Sequence, residues 1–157
     1  EARIFFITAS RFLEDNGYLH YEVSNFARKE IYYSRHNAKY WHHVPYLGLG
    51  PSAHSYQGRT RWWKSRSIRR YCTHLEACKS PVEGYETLTD EQIRLESFAL
   101  GLRTRDGFAV KETQYNPGAS QVLSKLHDLG FLKVKGDRIV PTKKGFLVAD
   151  HLPLCFV

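Results

Sequence analysis

The sequence predicts an α/β chain in two parts: an α/β segment over residues 1–80 and a small helical, winged-helix-like unit over 81–157. Three observations support this. Ile4, Phe5, Ala9, Phe12 and Leu13 recur at helical spacing and are closed by Gly17. The stretch YLHYEVSNFA then alternates like a strand, so that helix, glycine and strand make half of a repeating α/β unit. The second half carries two more helix-periodic runs and a strand–turn–strand pattern. Charge changes between the parts as well, with 13 Lys and Arg against 6 Asp and Glu in residues 1–80, and 10 against 10 in residues 81–157.

Taken in order, a helix over 3–16 leads to a strand at 18–27 in which Leu19, Tyr21 and Val23 alternate with His20, Glu22 and Ser24. YLGLG at 46–50 reads as a short buried strand that feeds the polar loop GPSAHS. Ligands of α/β sheets gather at the carboxyl ends of the strands. Glu22, Ser24, Asn25, Ser52, His54 and Ser55 are therefore expected to face a common pocket. RTRWWKS reads as extended, Ser67 as the cap of a helix to about Cys78, and KSPVEGYE as a linker.

Thr89 and Gln92 form a capping box for a helix through about Leu102, and RTRDG turns out of it. A helix over 118–130 places Val122, Leu123, Leu126 and Leu129 on one face and ends at Gly130. FLKVKGDRIVPT gives strand, Gly-Asp turn and strand. Thr142 then caps a last helix of Phe146, Leu147 and Ala149. No internal repeat and no low-complexity segment interrupts this order.

At 157 residues the chain suits one average domain or two small ones. It starts at Glu1 and contains no Met, which we read as a fragment or a processed chain. No run approaches a membrane span and EARIFFITASRF lacks the parts of a signal peptide, so a cytoplasmic protein is expected. Cys72, Cys78 and Cys155 are odd in number and not spaced as a zinc or iron–sulfur loop, which suggests reduced thiols. The basic first half calls for an anionic partner.

The residues with chemistry cluster in SRHNAKYW at 34–41. A neutral imidazole is an iron ligand, aromatic rings stack on a porphyrin, and Arg35 or Lys39 can pair with propionates. The same residue types also suit a hydrogen-bonded loop beneath an aromatic cluster. GLGPSAHS can lend backbone amides and small hydroxyls to the floor of a cofactor pocket, or form a tight buried turn. Glu22 is expected to pair with a nearby arginine such as Arg28. His42 and His43 should point apart at the surface, and Trp62 and Trp63 should be one core and one surface ring.

GYLHYEVSNFAR (17–28), SRHNAKYW (34–41), YLGLGPSAHS (46–55), RWW (61–63) and LGLRTRDG (100–107) occur in the order found in the C-terminal half of HemW-like proteins. The chain resembles that family along essentially its whole length. HemW-like proteins are radical S-adenosylmethionine proteins related to oxygen-independent coproporphyrinogen III oxidase, and their closest members are regarded as haem chaperones. The resemblance implies that residues 1–80 are the C-terminal part of a partial parallel (β/α) barrel and that 81–157 are the HemN-type C-terminal domain.

It also implies haem contact by His36, Asn37, Tyr40 and Trp41, with His36 as the iron ligand, and cofactor contact by Gly48, Gly50, Ser52, Ala53 and His54. The partners it implies are haem or a related tetrapyrrole and a haem-acceptor protein, a membrane-associated acceptor among the candidates. Exposed barrel edges could join copies into oligomers. The [4Fe–4S] cluster and S-adenosylmethionine are expected only in a full-length protein, because its C-x3-C-x2-C loop is not in this sequence; the chain alone should have no radical activity. Lys29 and Glu30 depart from the Pro-Gly that the family often has after the arginine, which leaves the conformation of that loop open.

Two alternatives remain. A coproporphyrinogen III oxidase proper would also take a tetrapyrrole, but the His-Asn-x-x-Tyr-Trp signature speaks against it. A nucleic-acid-binding winged helix would need a cationic recognition helix. Residues 118–130 offer only Lys125, set against Asp128 and a neutral His127, so no nucleic-acid partner is expected despite Lys133, Lys135 and Arg138 on the wing.

Overall fold

The computed structural model describes residues 1–115 and 118–156, so Val157, the last residue of the expected second domain, lies outside them. The backbone divides into two compact units, one of residues 1–42 with 94–157 and one of residues 43–93. These cuts do not coincide with the boundary expected after residue 80.

In the first unit, α1 (Ala2–Asp15) ends where Gly17 takes a left-handed φ of 82°. The stretch expected as one strand is a hairpin of β1 (Leu19–Glu22) and β2 (Asn25–Ala27), which are antiparallel with Leu19 opposite Ala27 and Glu22 opposite Asn25. Both arms alternate, and the two-residue turn Val23-Ser24 contains no Gly or Pro, so nothing local marks the reversal. A 3₁₀ turn at Glu30–Tyr32 leads to α2 (Arg35–Trp41).

The second unit is built on the antiparallel sheet β3 (His54–Gln57), β4 (Thr60–Lys64) and β5 (Val82–Thr87), with α3 (Ile68–Glu76) between β4 and β5. Ser67 caps α3 through its Oγ, which accepts from the Arg70 amide at 3.3 Å. The helix stops at Glu76, short of the expected Cys78, whose φ of 54° is left-handed. YLGLG is not a buried strand. Leu47 and Leu49 are 68% and 80% exposed, and only Tyr46 bridges, to Tyr56.

The expected linker KSPVEGYE contains β5. Pro81 stands before the strand and its carbonyl accepts the Ser65 amide at 3.0 Å. Gly84 lies against the Trp63 ring, where a Cβ would come within 2.5 Å of Cζ2. Trp62 and Trp63 are both half-buried, not one inside and one outside.

The chain returns to the first unit along α4 (Asp90–Gly101). The Thr89 amide donates to Gln92 Oε1 at 2.8 Å and the Gln92 amide to Thr89 Oγ1 at 3.2 Å, the expected capping box. Then follow β6 (Phe108–Ala109), α5 (Ala119–Asp128), the hairpin β7 (Leu132–Lys135) and β8 (Arg138–Pro141), α6 (Lys143–Phe146) and a 3₁₀ turn at Leu152–Phe156. The sheet order is β6-β8-β7, and Thr142 Oγ1 caps α6 by accepting from the Gly145 amide at 3.1 Å. The helix ends at Phe146, so Ala149 lies beyond it.

Phe98, Leu102, Phe108, Leu126, Ile139 and Phe156 form the centre of this unit's core, and Leu102 has no exposed surface. Every pairing between the described strands is antiparallel. The parallel sheet expected of a barrel segment is thus not formed within these residues, since β1 takes β2 as its neighbour.

Candidate functional site

The site is built on α2. Ser34 Oγ accepts from the Asn37 amide at 3.3 Å, and this cap starts the helix at Arg35. At 3.6 residues per turn His36 and Tyr40 share one stripe, while Asn37 and Trp41 share the next. The structure uses the stripes differently. His36 and Tyr40 are exposed, with the Tyr40 hydroxyl 3.4 Å from His36 Nε2 and the rings edge to face at 5.1 Å between centroids. Asn37 and Trp41 are half-buried and turn toward Glu22.

Glu22, at the end of β1, is 2% exposed. Its Oε1 accepts from Asn25 Nδ2 and, at 3.4 Å, from Asn37 Nδ2, while its Oε2 accepts from Trp41 Nε1. The expected ion pair with Arg28 is not what holds it: the Arg28 guanidinium lies over the Tyr18 ring at 5.0 Å. Three neutral N–H donors satisfy the buried carboxylate instead.

Residues that sequence reasoning passed over complete the support. Tyr21 is buried, stacks on Tyr33 at 3.9 Å, and accepts the Ser34 amide on its hydroxyl at 3.1 Å. LRTRDG runs beside β1, with the Val23 amide donating to Arg103 O and the Arg105 amide to Tyr21 O, both at 2.9 Å. Arg105 donates to the Tyr33 hydroxyl at 3.2 Å. Arg103 pairs with Asp150 and lies 5.7 Å from the Trp41 ring centroid. The alternation in YEV, which puts an aromatic beside an acid on a short strand, was the one local signal of this arrangement. Val23, Arg103, Phe6, Phe131 and Phe146 also wall a cavity of about 540 Å³ in the same unit.

Three of the five motifs therefore meet in the first unit. The other two meet in the second, where His54 pairs with Trp63 and Ser55 with Trp62 across β3 and β4. The residues expected on one rim divide accordingly: Glu22 and Asn25 are bonded to each other, Ser24 is exposed in the hairpin turn, and Ser52, His54 and Ser55 belong to the other unit.

In GLGPSAHS several polar groups are engaged internally. The Gly48 amide donates to Ser55 Oγ at 3.0 Å, and Gly48 O accepts Lys64 Nζ at 2.8 Å. A Cβ on Gly48 would lie 2.1 Å from His54 O, so this close approach requires glycine. Ser52, with a φ of 62°, donates its amide to Ser65 O at 3.0 Å, and the Ala53 amide donates to Gly50 O at 3.4 Å. Gly50 has a left-handed φ of 95°. The exposed imidazole of His54 stands with Tyr46, Trp63 and Arg66 around a shallow cavity of about 430 Å³.

His42 is exposed and its Nδ1 lies 2.8 Å from Ala38 O, whereas His43 is half-buried against Tyr56. Cys72, Cys78 and Cys155 are free and exposed. Among the described residues no group of three or more His, Cys, Asp or Glu side chains is placed to hold a metal ion, and no helix is long and apolar enough to cross a membrane.

Comparison with known proteins agrees with the motif order. The HemN C-terminal domain family matches residues 88–148. The heme chaperone HemW of Mycobacterium tuberculosis (strain H37Rv) is 36% identical over 136 residues, 85% of this chain and 34% of that protein. The heme chaperone HemW of Bacillus subtilis (strain 168) is 31% identical over 159 residues, 97% of this chain and 41% of that protein. The chain thus spans between a third and about two fifths of these relatives.

Among solved structures, coproporphyrinogen III oxidase (HemN) from Escherichia coli, a radical SAM enzyme, matches 95% of this chain and 39% of its own with a TM-score of 0.71. At 18% identity that likeness shows a mixed α/β fold of the HemN type. Motif order, domain match and relatives together identify the chain as HemW-like, with a HemN C-terminal domain at residues 88–148.

Proposed function

We propose that the chain is part of a HemW-like haem chaperone and that it contacts haem, its cargo, through α2. The observation that carries this reading is the presentation of His36 at the surface beside Tyr40, within a His-Asn-x-x-Tyr-Trp stretch of a chain similar to proteins named heme chaperones. An exposed imidazole fits an axial ligand of iron, and an adjacent phenol fits both the porphyrin face and a hydrogen-bonding role. Tyr40 completes the haem-facing pair, Asn37 and Trp41 stand half-buried behind it in the same signature, and Arg35 and Lys39, exposed on the same helix, suit propionates. The acceptor of the cargo would be a haem-binding protein.

In this reading residues 1–80 are the C-terminal part of a partial parallel barrel completed by other chain segments, and 81–157 are a winged-helix-like tail. The element order α4, α5 and the hairpin β7–β8 supports the tail assignment. Gly48, Gly50, Ser52, Ala53 and His54 would line the barrel's cofactor pocket, with Ser52 and His54 the exposed side chains among them.

A [4Fe–4S] cluster and S-adenosylmethionine would belong to the whole protein. Cys72, Cys78 and Cys155 do not fit such a cluster, being exposed and outside any ligand grouping among the described residues. No radical step is assigned to these residues, and the name of the solved neighbour as an oxidase does not add one at 18% identity.

Titration with ferric haem tests the proposal. The chain should shift the Soret band away from that of free haem, and His36→Ala should lose the shift. A wild-type spectrum equal to free haem, or a variant that binds as well as the parent, overturns the assignment.

A further inference from the structure

We infer that Glu22 is the positioning residue of the haem-contact helix: by drawing Asn37 and Trp41 inward it leaves His36 and Tyr40 as the face of the signature that meets haem. The inference rests on the haem reading above and gives it a division of labour. Of the four signature residues, two would touch the cargo and two would act through a buried carboxylate on β1.

Helix α2 has only seven residues, fewer than a helix needs to persist in water by itself, so its orientation must come from tertiary anchors. The cap at Ser34 and the Tyr21 hydroxyl hold its first turn. Along its body Glu22 takes both donors of the inner stripe, Asn37 on Oε1 and Trp41 on Oε2. These residues are one helical turn apart, so the two bonds fix rotation about the helix axis as well as position. Rotation is what decides whether His36 and Tyr40 point outward. At 2% exposure, Glu22 has little water to turn to if the latch opens, which favours the closed arrangement. Asn25 holds the carboxylate itself by donating to Oε1 from the other arm of the hairpin.

Glu22→Gln keeps the size of the side chain but replaces an acceptor oxygen with an amide donor. One of the two α2 donors then faces another donor. Trp41→Phe removes the indole N–H and keeps a ring near Arg103.

The experiment has two arms. In the ligand-free protein, the Trp41 indole N–H resonance should move in Glu22→Gln, while those of Trp62 and Trp63 stay in place. In haem titrations, with helix content checked by circular dichroism, Glu22→Gln and Trp41→Phe should each weaken binding by roughly tenfold and alter the Soret signature of ligation. The double variant should be no weaker than the worse single one, as for partners in one interaction.

Glu22→Gln that binds haem like the parent, while His36→Ala does not, overturns the positioning role and leaves the haem reading standing. His36→Ala that binds like the parent overturns the haem reading, and this inference with it. If Glu22→Gln does not fold, Trp41→Phe carries the same expectation. Unchanged affinity and Soret signature in that variant overturn the latch.

Discussion

His20 is held as a neutral base inside the first unit. Its ring stacks on Phe26 at 4.1 Å between centroids and meets Phe146 at 5.0 Å. Nε2 lies 3.2 Å from Val23 O and so must carry the hydrogen, which leaves Nδ1, 3.0 Å from Ser10 Oγ, to accept from that hydroxyl. Burial lowers the His20 pKa below its ordinary value of about 6.5. The Val23 carbonyl and Glu14 oppose the shift, and Lys143, ion-paired with Glu14, adds to it. A lowered folded pKa means that the unfolded chain takes up the proton first as the solution is acidified. The stability tied to neutral His20 is therefore complete above about pH 6.5 and is lost as pH falls through the folded value. Urea midpoints should drop with acidification over this range, and the drop should be shallower in His20→Gln. Equal slopes for the two proteins would show that another group sets the dependence.

Among the elements, three helix starts were legible in the sequence because their chemistry is local. Ser67, Thr89 and Thr142 each reach an amide three residues on and each opens a helix; Ser34 does the same at α2, where a loop rather than a helix was expected. Ser34→Ala should cost about 1 kcal/mol. Because α2 is short, hydrogen exchange should quicken at Asn37 and Ala38 well before α4 is affected; uniform quickening would argue against a local cap.

Strands were harder to place, because what decides them lies far along the chain. Gly84 looks like a breaker until Trp63 is found over it, and the Val23-Ser24 turn hides inside a continuous alternation. Gly107 is the converse case, read correctly as a turn but with a reason the sequence could not supply. Its φ is +59° and a Cβ would lie 1.8 Å from Ile139 O, so Gly107→Ala should destabilise the protein more than Ser34→Ala does. Chemical denaturation of both variants would rank them.

At the scale of the whole molecule, motif order made the family legible and located the signature, but not the way its residues divide. That division depends on Glu22 and Tyr21, which reach α2 only after the hairpin and LRTRDG have come together. The two compact units were equally out of view, because residues 1–42 join residues 94–157 across an intervening unit. Leu102 tests that division. It is wholly buried in the cluster of Phe98, Phe108, Ile139 and Phe156, and it directly precedes the segment that pairs with β1. Leu102→Ala removes core packing at this point and should cost roughly 2–5 kcal/mol. If the units are separately cooperative, that loss belongs to the first of them. Hydrogen exchange should accelerate in residues 1–42 and 94–156, α2 included, with much smaller changes at β3, β4 and β5. Acceleration of equal size in all three of those strands would mean that the chain opens as one body, and that a defect in the HemN-type core weakens both units together.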